Sequence, residues 1–188
     1  MKVFIKNMVC PRCIMSVEQI LKENKIEAKY VLLGEVDTEE ELSNEKLEKL
    51  SVDLLKVGFE ILDDSKSKLI EQIKTIVIQK VQQGDIESHF SISKLLAGEI
   101  FKDYSSISKL FSEVEGITIE RFFILQKIEK VKEWLVYNEL SLGDIAFNLG
   151  YSSTQHLSSQ FSKNTGMTIT QFKKQGISKR RTIDQIAG

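Results

Sequence analysis

The chain has 188 residues, of which 41% are hydrophobic and 28% charged, and its formal net charge is −1. These fractions are ordinary for a folded globular protein, so they exclude the disordered and fibrous classes. No run of about eighteen apolar residues is present, and the lysine-interrupted start is too short for a signal peptide. We therefore expect a cytoplasmic protein without a membrane span, built as one large domain or two small ones.

The N-terminal third of the chain mixes strand and helix signals. Residues 3–5 and 59–62 are typical of short strands, and the alternating, β-branched stretch 28–36 is typical of a third. Residues 16–25 and 44–56 carry apolar side chains at helical spacing. The predicted order is therefore β-α-β-α-β, which describes a small α+β domain.

A polar run at residues 63–67 is the predicted boundary after this domain. Beyond it, apolar residues at helical spacing predict an amphipathic helix that stops near Gly84, and after residue 92 only helix and turn signals remain. We predict four segments in order: an α+β domain at 1–63, a linker helix at 64–84, an all-α domain at 85–177 and a basic tail at 178–188.

The two cysteines, Cys10 and Cys13, lie in a loop between the first predicted strand and the first predicted helix. A reducing compartment makes a structural disulfide a poor interpretation. Two thiols at this spacing can reach one ion, and helix N-terminal amides lower their pKa values. Such a two-thiolate site suits Cu(I), with Zn(II) as the second choice. The alternatives are a glutaredoxin-like redox pair and thiols that bind nothing.

The pattern F-S-x-x-x-G-x-T-I-x-x-F occurs twice, fifty positions apart, beginning at Phe111 and at Phe161. A match over many positions that includes a glycine and recurs indicates one supersecondary unit used twice. The segment before each copy shows what kind of unit this is.

Before the second copy, apolar residues form one helical face: Leu142, Ile145, Ala146 and Leu149. Gly150 can take the positive φ that ends this helix, and Ser152 or Ser153 can cap a new helix over residues 154–163. This is a helix-turn-helix, whose second helix can lie in the major groove of DNA. Polar groups suited to base edges and phosphates occupy its outward positions: Thr154, Gln155, Ser158 and Ser159.

The first copy follows the same plan without a glycine in the turn. Asp103 is the predicted cap of a second helix over residues 105–111. Its outward residues are Ser105, Ser108 and Lys109. A long helix over residues 119–136 joins the two units and can hold two DNA readers about 34 Å apart, one turn of the duplex. One such pattern alone is equally compatible with a plain helical bundle, but two copies favour the DNA reader.

Residues 86–176 resemble the AraC/XylS family of bacterial transcription regulators. The residues that carry the resemblance are Ile145, Ala146, Gly150, Tyr151, Ser152, Leu157, Ser158, Phe161, Gly166, Thr168, Phe172 and Lys173. The resemblance implies a seven-helix domain with two readers, in which the outward residues of both second helices face operator DNA. It also implies RNA polymerase as a further partner. Ser159 stands where the family usually has a basic residue, so we expect a weaker phosphate contact there.

The N-terminal segment resembles the heavy-metal-associated, ferredoxin-like domains of copper chaperones and pumps, whose loop reads Met-x-Cys-x-x-Cys. Here Met8 precedes Cys10 and Cys13 at that spacing, and Asn7 replaces the usual glycine. One of the four strands of that fold is missing from the predicted order. The resemblance implies Cu(I) or Zn(II) at the two cysteines.

Together these patterns predict a sequence-specific DNA-binding transcription regulator. We expect that the protein is not an enzyme, because its sequence contains no Ser/His/Asp, paired-carboxylate or phosphate-loop constellation. Metal at Cys10 and Cys13 would change how the linker helix presents the readers, and the apolar face of that helix is compatible with a homodimer. The alternative is a metal-carrying or thiol-redox protein with an accessory helical domain. The basic tail at 178–188 can touch phosphates or simply be solvated.

Overall fold

The computed structural model describes residues 1–62 and 65–175. The chain divides into two compact units, Met1–Thr75 and Ile76–Gly188. The predicted basic tail, and residues 63 and 64 of the predicted polar boundary, lie outside the described residues. Among the described helices, none combines the length and the apolar character that a membrane span requires.

The first unit is a four-stranded antiparallel sheet with two helices. Its elements in chain order are β1 (Lys2–Lys6), α1 (Pro11–Glu23), β2 (Ala28–Leu32), β3 (Glu35–Thr38), α2 (Asn44–Lys56) and β4 (Glu60–Leu62). The strands are arranged in the order β2-β3-β1-β4. Alternate residues of β1, Val3 and Ile5, are buried in one core with Val17 of α1 and Leu50 and Leu54 of α2. The alternation of the strands and the helical spacing of α1 and α2 therefore meet in one apolar layer.

The prediction of a single strand over residues 28–36, and with it the order β-α-β-α-β, is wrong. The chain turns back at Gly34, whose φ is +82°, so this stretch is the hairpin of β2 and β3. The N–H of Ile5 donates to the Gly34 carbonyl at 3.0 Å, which ties the turn to β1. Because the loop has only two residues, Leu33 and Gly34, apolar alternation runs on across it and hides the turn in the sequence. The observed order is β-α-β-β-α-β.

Helices make up the rest of the described chain. They are α3 (Ser65–Gln83), α4 (Ile92–Ile100), α5 (Tyr104–Glu115), α6 (Ile119–Tyr137), α7 (Leu142–Asn148), α8 (Thr154–Thr165) and α9 (Ile169–Gln175). A helix that ends near Gly84 and a long helix between the two repeats are present, as α3 and α6. The division between the two units falls within α3, whose residues up to Thr75 belong to the first unit, so the role of this helix as a linker stays a prediction. The helix pairs α4–α5 and α7–α8 lie on either side of α6 in the chain.

The fifty-residue repeat specifies how each pair ends and what fills its core. Gly116 and Gly166 end α5 and α8 in the left-handed conformation, with φ of +70° and +73°. Two positions later Thr118 caps α6, and its side chain accepts from the N–H of Arg121 at 3.1 Å. The threonine of the second copy is bonded in the same way at the start of α9. The repeated glycine and threonine are thus a helix stop followed by a helix start.

The two phenylalanines of each pattern pack against each other. The ring centroids of Phe111 and Phe122 lie 5.7 Å apart, and those of Phe161 and Phe172 lie 5.5 Å apart. All four side chains are almost completely buried. The same sequence pattern therefore produces the same aromatic pair beneath each second helix.

The turn before α8 is fixed by a segment that precedes α4. Gly150 has a φ of +65°, which confirms the predicted positive φ at this turn. The N–H of Ile86 donates to the Asn148 carbonyl at 2.9 Å, and Ile86 forms an isolated parallel bridge with Leu149. Ile86 also belongs to the buried core that contains Leu157 of α8.

Candidate nucleic-acid interface

One face of α8 is buried and the other carries the predicted DNA-reading residues. Leu157 and Phe161 are fully buried, which sets the rotation of the helix. Gln155 and Ser159 are exposed, whereas Thr154 and Ser158 are half-buried. The residues predicted to face DNA thus lie at or near the surface of α8. Their role toward DNA stays a prediction.

Hydrogen bonds join three of these four residues on α8. Ser158 Oγ donates to the Thr154 carbonyl at 2.8 Å, and Thr154 Oγ1 donates to Gln155 Oε1 at 3.2 Å. Within the part of the chain that the structure describes, the Gln155 amide nitrogen and the Ser159 hydroxyl have no hydrogen-bond partner. A carboxamide nitrogen and a hydroxyl are both able to donate to base edges or phosphates.

The start of α8 has a neutral cap. Ser153, one of the two predicted caps, accepts from the N–H of His156 at 3.0 Å. Ser152 Oγ lies 3.1 Å from His156 Nδ1, and both residues are exposed. His156 carries no sequence pattern that would single it out, but its position in the first turn of α8 brings its ring to the exposed end of this helix. The helix N-terminus and these donors form a surface suited to an anion.

The predicted residues of α5 are positioned differently. Ser105 donates to the Asp103 carboxylate, which also accepts from the N–H of Ser106 at 3.2 Å and confirms Asp103 as the helix cap. These donors hold the pKa of Asp103 below its ordinary value. The start of α5 therefore carries a carboxylate where α8 carries a serine, and it is less suited to phosphate.

Lys109 carries the positive charge among the residues of α5 that are predicted to face DNA. Its side chain is 80% exposed, and its Nζ lies 4.0 Å from Glu113 Oε1. An exposed pair at this distance contributes little, so the ammonium is available to another anion. Ser108 is half-buried. Among the described residues, no hydrogen bond joins the predicted set on α5 to the one on α8.

The first turn of α6 is hydrogen-bonded to both α5 and α8. The Tyr104 hydroxyl, at the start of α5, donates to the Glu120 carboxylate. Burial and this carboxylate raise the pKa of Tyr104. Arg121, the next residue of α6, donates to the side-chain oxygen of Asn164 near the end of α8. Adjacent residues of one helix thus contact both candidate recognition helices.

The cysteine pair lies at the start of α1. Cys10 is the N-cap residue, Pro11 follows it, and the N–H of Cys13 donates to the Cys10 carbonyl at 2.9 Å. The two Sγ atoms are 3.4 Å apart. Partial burial raises the pKa of the Cys10 thiol, but the backbone N–H groups of Cys13 and Arg12, with the Cys13 thiol and the Arg12 charge, outweigh it. The pKa of Cys10 is therefore lowered, whereas burial and its neighbour raise that of Cys13.

Asn7 supports the loop that carries the two cysteines. Its φ is +70°, a conformation that asparagine tolerates better than most side chains. Its side-chain amide donates to the Gly58 carbonyl at 2.9 Å, and its backbone N–H donates to Glu71 at 3.0 Å. Asn7 therefore allows the backbone turn and ties it to Gly58, shortly before β4, and to Glu71 through two hydrogen bonds.

The donor set decides which metals fit. Within residues 1–62 and 65–175, no cluster of three or more His, Cys, Asp or Glu side chains could hold an ion. A structural zinc site needs four protein ligands, which this loop does not supply. Two soft sulfur atoms close enough to share one ion suit Cu(I).

One family model matches the helical unit of this chain. Residues 96–175 match a family model described as a helix-turn-helix domain, HTH_18. The chain is similar to the bifunctional transcriptional activator/DNA repair enzyme AdaA of Bacillus subtilis (strain 168), at 26% identity over 66 residues. That match covers 35% of this chain and 31% of AdaA, so the chain spans about a third of the curated relative's length.

The solved structures that are similar to this chain include the following two. The C-terminal domain of AraT, a response regulator from Geobacillus stearothermophilus, matches with a TM-score of 0.51 and 21% identity, over 63% of this chain and 95% of that chain. A DNA-binding transcriptional dual regulator from Escherichia coli K-12 matches with a TM-score of 0.48 and 18% identity, over 57% and 90%. The AraT match shows a shared fold.

Proposed function

We propose that this chain is a sequence-specific transcription regulator of the AraC/XylS type that binds double-stranded DNA, because residues 96–175 match a helix-turn-helix family model. It would act in the cytoplasm, with α5 and α8 as recognition helices in successive major grooves. The observation that carries the proposal is the duplicated arrangement, in which each second helix ends in the same glycine stop and covers the same phenylalanine pair. RNA polymerase and a second copy of the chain are the further partners to test.

The exposed side chains of α5 and α8 suit different parts of the DNA. Gln155 can donate and accept, which suits the edge of an adenine, and Ser159 can donate to a phosphate or a base. Lys109 suits a phosphate on the first half-site. Because Asp103 adds a negative charge at the start of α5, we expect α8 to supply most of the sequence discrimination.

We propose further that the first unit is a ferredoxin-like, heavy-metal-associated domain that binds Cu(I), or Zn(II) with lower preference, through Cys10 and Cys13. The order β-α-β-β-α-β and the paired thiols support this interpretation. The two cysteines would hold the ion as thiolates, and the bound ion would change the affinity of the chain for its operator.

The test begins with selection of binding sites from a random 30-base-pair duplex library by the full chain. Fluorescence anisotropy then measures the affinity for the selected duplex and for a scrambled one, over a range of salt concentrations. We expect a clear preference for the selected duplex and an affinity that falls steeply as salt rises. Equal affinity for both duplexes would refute sequence-specific regulation.

The same titration with and without Cu(I) tests the metal part of the proposal. A changed affinity supports a metal-responsive regulator. An unchanged affinity, with DNA binding retained, would remove the metal response and leave the regulator.

A second candidate function is a metal-carrying or thiol-redox protein with an accessory helical unit. The 3.4 Å separation of the sulfur atoms and the lowered pKa of Cys10 favour it, because both suit a dithiol carrier. It predicts rapid Cu(I) transfer or thiol turnover by the full chain and no salt-dependent DNA affinity.

A further inference from the structure

Lys127 of α6 is a buried cation whose contacts are aromatic rings. Its residue exposure is 7%. Its Nζ lies 3.8 Å from the centroid of the Tyr151 ring and 5.5 Å from that of Phe123. In the described parts of the chain no carboxylate pairs with it. The next two lysines of the same helix differ, since Lys130 bonds Glu133 at 3.0 Å and Lys132 bonds Glu129 at 2.6 Å.

An arrangement of this kind is unfavourable for folding. Removing an ammonium group from water without an opposite charge costs free energy, and the ring faces offset only part of that cost. Burial accordingly lowers the pKa of Lys127 to about 8. An apolar side chain of the same length would fill this position at lower cost. Fold stability therefore does not account for a lysine here.

The ring beneath Lys127 connects α6 to the exposed face of α8. Tyr151 lies in the turn before α8 and is 5% exposed. Its hydroxyl donates to Gln160 Oε1 at 2.7 Å, and its ring meets that of His156 edge-on, with centroids 5.3 Å apart. Both partners belong to α8, and His156 is the neighbour of Gln155. A displacement of the Tyr151 ring would therefore move the part of α8 that carries the predicted base-reading groups.

Among the described residues, no cation lies over an aromatic ring in the corresponding turn of the first helix pair. Phe101 has a φ of +54° there, as Gly150 has a positive φ in the second turn, and its side chain is 90% exposed. Instead, a hydrogen bond from the Tyr104 hydroxyl to the Glu120 carboxylate joins the start of α5 to α6. The cation–ring contact is thus particular to the second pair, and its loss should affect one half-site.

We propose that Lys127 is a positioning residue for DNA reading by α8. Its ammonium group holds the Tyr151 ring against α6, and through that ring it fixes the N-terminal half of α8 in the orientation that reaches base edges. This inference rests on the proposed DNA-binding function, and it assigns the orientation of the second reader to a buried side chain that does not touch DNA.

The experiment compares four full-length proteins: the unaltered chain, Lys127→Met, Lys127→Arg and the control Lys80→Met. Lys80 also lies over an aromatic ring, that of Phe90 at 5.4 Å, so the control removes the same charge and the same kind of contact away from α8. Each protein is titrated with the selected duplex and with a duplex in which only the half-site sensitive to Gln155→Ala is scrambled.

We expect Lys127→Met to bind the selected duplex about tenfold more weakly, as the loss of a desolvated cation–ring contact would allow. Scrambling the α8 half-site should then cost Lys127→Met little further affinity. Lys127→Arg keeps a positive charge over the ring and should bind close to the unaltered chain. Lys80→Met should bind like the unaltered chain on both duplexes.

Three results would overturn the proposal. Lys127→Met could bind as well as the unaltered chain, or it could lose the same factor on both duplexes, which would indicate a general loss of charge. A Lys127→Met chain that fails to fold would show that the lysine serves the fold itself. Failure of the unaltered chain to prefer the selected duplex is a separate result, because it would refute the proposed function instead.

Discussion

The backbone of Gly150 passes so close to the carbonyl oxygen of Glu87 that a Cβ at this position would lie 2.7 Å from it. The Ile86 carbonyl would be 2.8 Å away, because Ile86 pairs with the residue that precedes the glycine. Two segments more than sixty positions apart therefore require a residue without a side chain at the turn before α8.

We expect Gly150→Ala to lower the free energy of unfolding by about 2–4 kcal/mol, because it adds a backbone clash to the cost of a positive φ. The control is Gly166→Ala, whose φ is +73° and whose Cβ would have no neighbour within 4 Å. That change should cost about 1–2 kcal/mol. Urea denaturation followed by the fluorescence of Trp134, the single tryptophan, measures both. Equal decreases in the free energy of unfolding would mean that the segment containing Ile86 moves to accommodate the added methyl group.

Gln155 is the residue of α8 best suited to reading a base. We expect Gln155→Ala to weaken binding to the selected duplex by about tenfold and to relax the preference at one base pair. Gln83→Ala is the control, because Gln83 is also an exposed glutamine of the second unit. Anisotropy titrations against single-base variants of the duplex give both quantities. A uniform loss across all variants would place Gln155 on the phosphate backbone.

Ser159 stands where the AraC/XylS family usually has a basic residue, and it is exposed. We expect Ser159→Arg to strengthen DNA binding and to steepen the plot of log affinity against log salt by about one unit, as one added phosphate contact would. Ser162→Arg serves as a comparison on the same helix. An equal gain from both variants would indicate general attraction rather than a contact at position 159.

Lys127 should lower the stability of the chain at neutral pH. Its pKa falls from an ordinary value of 10.5 to about 8 on folding because burial removes the ammonium from water. The unfolded chain therefore binds the proton more tightly, and the cost is fully present below pH 8 and disappears as pH rises toward 10.5. We expect Lys127→Met to raise the free energy of unfolding at pH 7 by about 1–3 kcal/mol.

Urea denaturation of both proteins at pH 7 and pH 10 checks this expectation. Other groups titrate over the same range, but they are common to the two proteins and cancel in the difference. The advantage of Lys127→Met should shrink at the higher pH. A constant advantage would mean that packing, rather than the buried charge, separates the two proteins.

The cysteine loop should bind one Cu(I) ion per chain. We expect Cys10→Ser and Cys13→Ser each to weaken Cu(I) binding by at least about a hundredfold, more than the loss of an outer-shell partner costs. Competition with a chromogenic Cu(I) chelator gives the affinities. Met15→Leu is the control, because Met15 is an exposed sulfur side chain on α1 that is 66% accessible. Cu(I) binding that survives either serine change would exclude a two-thiolate site.

The helical unit was largely predictable because its signals are local. Asp103 and Ser153 cap the helices that follow them, and Gly116 and Gly166 stop the second helix of each pair, within a turn of the residues they serve. Because these signals recur at a fixed spacing, they are unlikely to have arisen by chance. The roles of the residues on α5 and α8 toward DNA remain predictions, since a groove contact depends on a partner.

The features that the sequence concealed depend on tertiary context. Gly34 makes a hairpin inside a stretch whose alternation is unbroken, so one strand and two strands look alike. Phe101 adopts a left-handed conformation that glycine would signal and phenylalanine does not. Lys127 is buried because it packs against Tyr151, which lies twenty-four residues later in the chain. Helical periodicity reports only neighbours within a few turns, so it could not predict this contact. Each of these required the packed structure.

The bridge between Ile86 and Leu149 has a practical consequence for dissecting the chain. Ile86 precedes the matched family region by ten residues, yet its backbone and side chain complete the core around α7 and α8. A fragment trimmed to residues 96–175 would lack Ile86 and would expose part of the core of α7 and α8 to solvent. The second helix pair, α7 and α8, therefore depends on a residue that lies upstream of the matched region, and a fragment that keeps this pair should also keep Ile86.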